Sequence, residues 1–266
     1  MQLLFRTLCS GSDGNSVLVS DGDTHLLFDA GLGIRAFENS IRACGISPQA
    51  LSGILITHEH SDHIKGVDAI SAKYSIPVYA TNGTWAAMEK KMNRVLIKNR
   101  IPFDRASDFY INDFNIQPFR IPHDAADPCG YEIVNKGKKI IIATDMGYAN
   151  QRLVKRVQDA DLLYIESNYD PEMLENGPYP LMLRQRIAGN KGHLSNQDCA
   201  QVISAAVFEG SVRNIILGHL SENNNTSELA LLVSSEALSG MGLKVGKDIS
   251  LSVAKRLTPS DPVILE

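Results

Sequence analysis

The sequence predicts an α/β protein in which two β-sheets pack face to face and helices cover their outer faces. Three observations lead there. Short apolar runs of strand length alternate with helix-length stretches along the whole chain. The strand-like runs form two sets with helices between them, a pattern met by two packed sheets. Five of these runs end in a potential ligand or acid: ILIT before His58, IQPFRIP before His123, IIIAT before Asp145, LLYI before Glu166, and IILG before His219. Side chains at the ends of several strands can converge on one rim of a sheet, where sites are usually built.

In chain order, LLFRTLCS, NSVLVSDG and THLLFDAG read as strands, the last two joined by the turn-like DGD. A helix covers Ile34 to Cys44 and ends before Gly45, and GILIT is the next strand. A helix starting near Asp62 or His63 carries Gly66 to Tyr74; SIPVYAT is a strand and TWAAMEKKMNRVL an amphipathic helix. FNIQPFRIPH, GYEIVN and KKIIIATD are strands, and QRLVKRVQDA is a helix. DLLYIES is a strand, LSNQDCAQVISAAVF a helix with Ser195 as N-cap, NIILGHL a strand, ELALLVSSEALSG a helix and ISLSVAKRL the closing strand.

With 266 residues, 44% of them hydrophobic, the chain can bury a full core, and the reading is a single domain over residues 1–266. No apolar stretch approaches the roughly 20 residues of a membrane span. The N-terminal segment MQLLFRTLCSGSDGNS lacks a basic region ahead of a long apolar one, so no secretory signal is read and a cytoplasmic protein is expected. Cys9, Cys44, Cys129 and Cys199 are scattered with no CxxC pair, which fits reduced thiols and excludes a thiolate metal site. A formal net charge of −4 gives no global attraction to nucleic acid or anionic membrane, so a polyanionic substrate would need a local basic patch or a metal.

The heptapeptide THEHSDH, Thr57 to His63, holds three imidazoles and two acids directly after the apolar run ILI. Groups this dense are costly to bury unless something neutralises them, and the usual neutraliser is a metal ion. On a strand-to-helix turn His58 and His60 can face one cavity while Asp62 and His63 come round from another direction. Three imidazoles from one turn crowd a single tetrahedral ion, so the natural division is two ions, with His123, Asp145 and His219 completing the shells. Nitrogen and carboxylate ligands without thiolate suit zinc, with manganese or iron as alternatives. Two ions about 3.5–4 Å apart can share a bridging hydroxide, and Asp62 is placed both to ligate and to accept the nucleophile's proton.

HEHSDH resembles the H-x-H-x-D-H signature of metallo-β-lactamase-fold hydrolases, in which a distant His, an Asp and a last His follow. His123 in RIPHDAADPCGYEI, Asp145 in IIIATDMG and His219 in IILGHLS fill those positions, and Asp29 in LLFDAG matches the early D-x-G element. The resemblance implies a four-layer αβ/βα sandwich of two mixed sheets with helices outside. Asp29 is expected to orient the ligand loop by hydrogen bonds, Glu59 to point away as a solvated or structural acid, and His25 to lie at the surface. NKGHLSNQDCA resembles an element of ribonuclease Z-like members, which implies a catalytic His193 acting as general acid or phosphate binder, with Glu166 in YIESNYD orienting it.

CSGSDGNS, HDAADPCGYEI and KGHLSNQDCA together are similar to the WalJ/YycJ-type bacterial exonucleases. That likeness implies a dinuclear metal-dependent phosphodiesterase acting as a 5′-to-3′ exodeoxyribonuclease, with two divalent ions (Zn²⁺ or Mn²⁺) and DNA ahead of RNA as substrate. The glycine-rich loop Cys9 to Ser16, with Ser12 and Asn15, either lays backbone N–H groups near a phosphate or is a plain hairpin connection. Of two basic clusters, Glu89 to Arg100 reads as a solvated face. Arg184, Arg186 and Lys191 adjoin His193 and are the better approach for a phosphate backbone. Asn168 to Ile187 is either a cover over the site or a contact with a second copy of the chain. A small-molecule metallohydrolase of the same fold, acting on a thioester or cyclic phosphodiester, would share the ligands but need no His193. A non-catalytic metal-stabilised scaffold would show a degraded ligand set, and this set is intact.

Overall fold

The computed structural model describes residues 2–208 and 210–266. Its strands are β1 (Leu3–Cys9), β2 (Ser16–Ser20), β3 (His25–Phe28), β4 (Leu51–Leu55), β5 (Val78–Thr81), β6 (Arg100–Phe103), β7 (Phe109–Ile111), β8 (Phe114–Arg120), β9 (Cys129–Asn135), β10 (Lys138–Ala143), β11 (Leu162–Glu166), β12 (Asn214–Gly218), β13 (Ser250–Val253) and β14 (Val263–Leu265). The helices are α1 (Ile34–Ala43), α2 (Ser61–Ile64), α3 (Val67–Tyr74), α4 (Asn82–Met88), α5 (Gln151–Gln158), α6 (Pro171–Asn176), α7 (Leu181–Ile187), α8 (Asn196–Phe208) and α9 (Ser227–Gly240). The strands form two mixed seven-stranded sheets, ordered β14-β1-β2-β3-β4-β5-β6 and β13-β12-β11-β10-β9-β8-β7.

The chain divides into two compact units. The first runs through Arg120 and resumes over Ala125–Gly137 and Lys255–Glu266; the second comprises Ile121–Asp124 and Lys138–Ala254. In the first unit β1, β2 and β3 pair antiparallel, whereas β3, β4, β5 and β6 run parallel through helical crossovers. One face of this sheet buries Leu8, Leu18, Leu27, Ile54 and Ile56 in a cluster with Phe37 and Ile41 of α1, Ile70 of α3 and Trp85 of α4. Phe37, Ser40 and Ile41 are the buried residues of α1, the i, i+3, i+4 spacing of an amphipathic helix. Toward β7 and β9 the contacts are aromatic: Phe28 against Tyr131 with ring centroids 5.2 Å apart, and Tyr79 stacked on Phe109 at 5.6 Å. The Tyr131 hydroxyl donates to the Ile56 carbonyl at 2.6 Å, so the polar end of a fully buried ring is satisfied. Face-to-face sheet packing is thus realised inside this unit.

In the second unit β10, β11, β12 and β13 are parallel. Their central runs, IIIA, LLYI and IIL, are buried without alternation, as strands covered on both faces require. Parallel pairing puts the C-terminal ends of β10, β11 and β12 on one edge, with β11 in the middle.

Most of the expected elements are present, with Ser195 accepting from the Asp198 N–H at the start of α8. Two helices end differently from the sequence reading. The stretch over 61–74 breaks into α2 and α3, because Gly66 lies so close to the 30–32 loop that a Cβ there would overlap the Leu32 carbonyl oxygen. Its N–H donates to the Ala30 carbonyl at 2.8 Å. The helix expected through Leu96 stops at Met88 and a 3₁₀ turn over Glu89–Lys91, after which Met92 and Val95 are buried. β6, β7 and β14 were not read from the sequence, and Asn168 to Ile187 holds the two short helices α6 and α7. No described helix is long and apolar enough to cross a membrane, and the four cysteines are free thiols.

Candidate metal and catalytic site

The HEHSDH turn of the first unit follows β4, with α2 beginning at Ser61. His58 and His63 are fully buried, and their rings lie 4.1 Å apart; His60 is partly buried with its ring 4.6 Å from His58. Asp29, one residue past β3 and adjacent through parallel pairing, braces this turn. Its carboxylate accepts from the Thr57 N–H at 2.8 Å, the Thr57 hydroxyl at 2.8 Å and His63 Nδ1 at 2.7 Å. Asp62 Oδ2 stands 3.3 Å from His63 Nε2.

The second unit assembles His123, Asp145, Glu166, His193 and His219 from the loop after β8, the ends of β10, β11 and β12, and the segment before α8. Asp145 Oδ1 lies 3.3 Å from His219 Nε2, 3.9 Å from His123 Nε2 and 3.9 Å from His193 Nδ1. Asp145, Glu166, His193 and His219 offer ligand atoms close enough together to hold a cation. Glu166 is fully buried; its Oε1 accepts from His193 Nδ1 at 2.7 Å and His219 Nδ1 at 2.9 Å. Its Oε2 accepts from the Met146 and Leu194 N–H groups at 2.9 and 3.2 Å. Burial alone would raise the Glu166 carboxyl, but the charge and hydrogen bond of His193, followed by those of His219, outweigh it and hold the group below the usual carboxylate range. Burial also lowers His123, the larger effect, against the opposing charge of Asp145.

The hydrogen bonds decide which imidazole nitrogen carries the proton. Carboxylate and carbonyl oxygens only accept. His63 and His219 therefore donate through Nδ1 to Asp29 and Glu166, and His123 donates through Nδ1 to the Gly192 carbonyl at 3.1 Å. Thr57 gives its hydroxyl proton to Asp29, so at 3.0 Å it accepts from His58 Nδ1. Four of the five expected ligand histidines thus spend Nδ1 on a protein partner, which makes Nε2 the nitrogen that could ligate a metal. This is the outer bonding that orients metal-bound histidine. A nitrogen-and-carboxylate donor set in this protonation pattern fits a divalent ion such as zinc or manganese.

The remaining expected positions are less uniform. Ser12 is exposed at the tip of the β1–β2 connection. Asn15 is buried: its Nδ2 is 3.2 Å from Asp62 Oδ2, 3.1 Å from His63 Nε2 and 3.0 Å from the Gly11 carbonyl, while Oδ1 accepts from the Gly11 N–H. Lys191 is exposed. Glu59 accepts from the Ala126 N–H at 2.8 Å, a structural acid, and half-buried His25 bonds Ser20 through Nδ1 at 2.7 Å. Arg184 donates to the Glu175 carbonyl, and Arg186 binds Asp124 through two nitrogens at 2.5 and 3.1 Å. Sequence reasoning missed Thr57, which sets the proton on His58, and Asn168, whose amide donates to the His219 carbonyl at 2.7 Å. Thr57 and Asn168 each adjoin a ligand or acid motif, and that adjacency was the only available signal.

The pattern of the beta-lactamase superfamily domain matches residues 24–219, a span that includes every residue of the two groups above. The chain belongs to that superfamily. It is 38% identical to Exodeoxyribonuclease YycJ of Bacillus anthracis, covering 93% of each chain. To Exodeoxyribonuclease WalJ of Streptococcus pneumoniae it is 37% identical, covering 93% of this chain and 92% of the relative. The metallo-β-lactamase-fold protein YhfI of Bacillus subtilis superposes with a TM-score of 0.70 at 16% identity, covering 97% of this chain and 99% of YhfI. As a superfamily member the chain has its αβ/βα sandwich fold and is an enzyme, a hydrolase whose fold implies divalent metal ions.

Proposed function

We propose that the protein is a cytoplasmic, metal-dependent nuclease that removes nucleotides from DNA in the 5′-to-3′ direction. Its metal ligands are His58, His60, Asp62, His63, His123, Asp145 and His219, holding two divalent ions, zinc or manganese. All seven lie within the span that the superfamily pattern matches, which supports assigning them to one centre, and the exodeoxyribonuclease names of the two relatives support the substrate. The observation that carries the reading is the Glu166–His193 pair beside Asp145: a phosphodiester leaving group needs a proton, and this pair can supply one.

Bound divalent ions supply positive charge for the developing oxyanion and lower the pKa of water. The chain's own residues do the rest. Asp62 takes the nucleophile's proton. Glu166 holds His193 by Nδ1–H, leaving Nε2 to carry the proton that goes to the leaving oxygen. Asp29 and Thr57 keep His58 and His63 in one tautomer and one orientation. The test offers the purified, metal-analysed protein labelled duplex, nicked and single-stranded DNA beside RNA. Stepwise release of nucleotides from 5′ ends is expected. His193→Ala should keep its bound metal while losing turnover by about 10²–10⁴-fold. Undiminished turnover would remove His193 from the mechanism, and inertness toward every polynucleotide with esterase activity intact would make the protein a small-molecule hydrolase.

A further inference from the structure

Three loops of the second unit carry His123, Asp145 and His193, and they are tied to one another. The Gly147 N–H donates to the Pro122 carbonyl at 3.0 Å, and the Asp124 N–H to the Lys191 carbonyl at 3.1 Å. Gly147 runs so close to residues 189 and 190 that a Cβ on it would overlap the Gly189 and Asn190 carbonyl groups. The next residue on each side of that close approach is Tyr148 and Lys191. Their Cα atoms are therefore each one peptide step, about 3.8 Å, from the point where the backbones meet. Both side chains are exposed, and Tyr148 is 47% exposed although it follows the buried Met146, which is bonded to Glu166. His193, two residues beyond Lys191, is half-buried on the same rim with 15% of its side chain open. An exposed aromatic ring and an exposed cation thus stand on the tied loops that carry Asp145 and His193. The acid of this rim, Asp124, is already occupied by Arg186.

We propose that Tyr148 is the stacking platform for the base of the terminal nucleotide, with Lys191 beside it binding a backbone phosphate. The inference rests on the nuclease reading above. An aromatic face next to a cation is the chemistry by which proteins hold single-stranded polynucleotides without regard to sequence: each base offers a π-face, and the phosphate answers the charge. A platform at this place fixes the end of the strand so that the adjoining phosphodiester reaches His193. It also makes the enzyme tolerant of base identity at the cleaved end.

The experiment compares wild type, Tyr148→Ala and Tyr148→Phe on single-stranded oligonucleotides. One set has normal ends and the other lacks the base of the terminal nucleotide at either end. With normal ends, Tyr148→Ala should raise KM about tenfold with kcat changed less than twofold, and Tyr148→Phe should match wild type, because stacking needs the ring and not the hydroxyl. With abasic ends, wild type should fall to the Tyr148→Ala KM and the substitution should have no further effect. A terminal 2-aminopurine should be quenched on binding to wild type and to Tyr148→Phe, and not to Tyr148→Ala. An active wild type whose KM is indifferent to Tyr148→Ala, or an equal penalty on abasic ends, overturns the platform and leaves the nuclease standing. A wild type inert toward all polynucleotides overturns both.

Discussion

Glu166 accepts four hydrogen bonds with two oxygens: two from imidazoles on one, two from backbone N–H groups on the other. A glutamine amide in the same place must turn its NH₂ toward one of those donor pairs, whichever way it rotates. Glu166→Gln is therefore expected to weaken metal binding about 10–100-fold through His219, and to lower turnover through His193. Metal titration read beside kcat separates the two effects. Strain is concentrated at this scale as well. Of the described non-glycine residues with positive φ, three are site residues just past strand ends: Asp29 at 59°, Asp145 at 60° and His219 at 55°. A left-handed conformation costs a side-chain-bearing residue about 1–2 kcal/mol. The surrounding bonds hold it: the Asp29 N–H donates to the Leu55 carbonyl at 2.8 Å, and Asn168 grips the His219 carbonyl. Strain at several positions of the candidate site, held by neighbouring bonds, is consistent with a preorganised site.

At the scale of elements, the early end of α4 shows a side chain redirecting a backbone. Asp68 of α3 accepts from the Arg94 N–H at 2.7 Å, the Val95 N–H at 3.2 Å and Arg94 Nε at 2.8 Å, pinning a turn where the sequence pattern continues a helix. Burial would raise the Asp68 carboxyl, but the hydrogen bonds and charge of Arg94 outweigh it and lower the group. A depressed carboxyl contributes stability that is complete above its unfolded pKa, near 3.9, and is lost as pH falls through the lower folded value. Asp68→Asn should cost about 1–2 kcal/mol at pH 7. In denaturant titrations the gap from wild type should close below about pH 4; a gap that persists there would mean the contact does not depend on charge. The strands missed from the sequence, β6, β7 and β14, are three of the four sheet edges. Edge strands are short and half-exposed, so their burial period is weak, and Pro102 sits in β6 where a missing N–H is tolerated.

For the whole molecule, metal removal is the direct probe. Ligands buried in the folded chain and scattered in the unfolded one make metal affinity a part of stability, by about 4 kcal/mol at a thousandfold excess over Kd. Chelation should lower Tm by about 10 °C, and re-addition of zinc or manganese should restore it. The expectation of one domain over residues 1–266 predicts a single calorimetric transition in the metal-loaded protein; two separated transitions would assign each compact unit its own stability. Determined by the sequence alone were the two sets of strands, most helices, and the residue types of the candidate nitrogen-and-carboxylate site, because hydrophobic period and residue type are local properties. Only the tertiary structure decided which atoms do the work. The proton on His58 depends on Thr57 and Asp29, the proton on His123 on a carbonyl 69 residues away, and Glu166 serves two histidines at once. The break at Gly66 follows likewise from a close approach to Leu32. Each of these depends on contact between segments distant along the chain, and no residue pattern records where such segments meet.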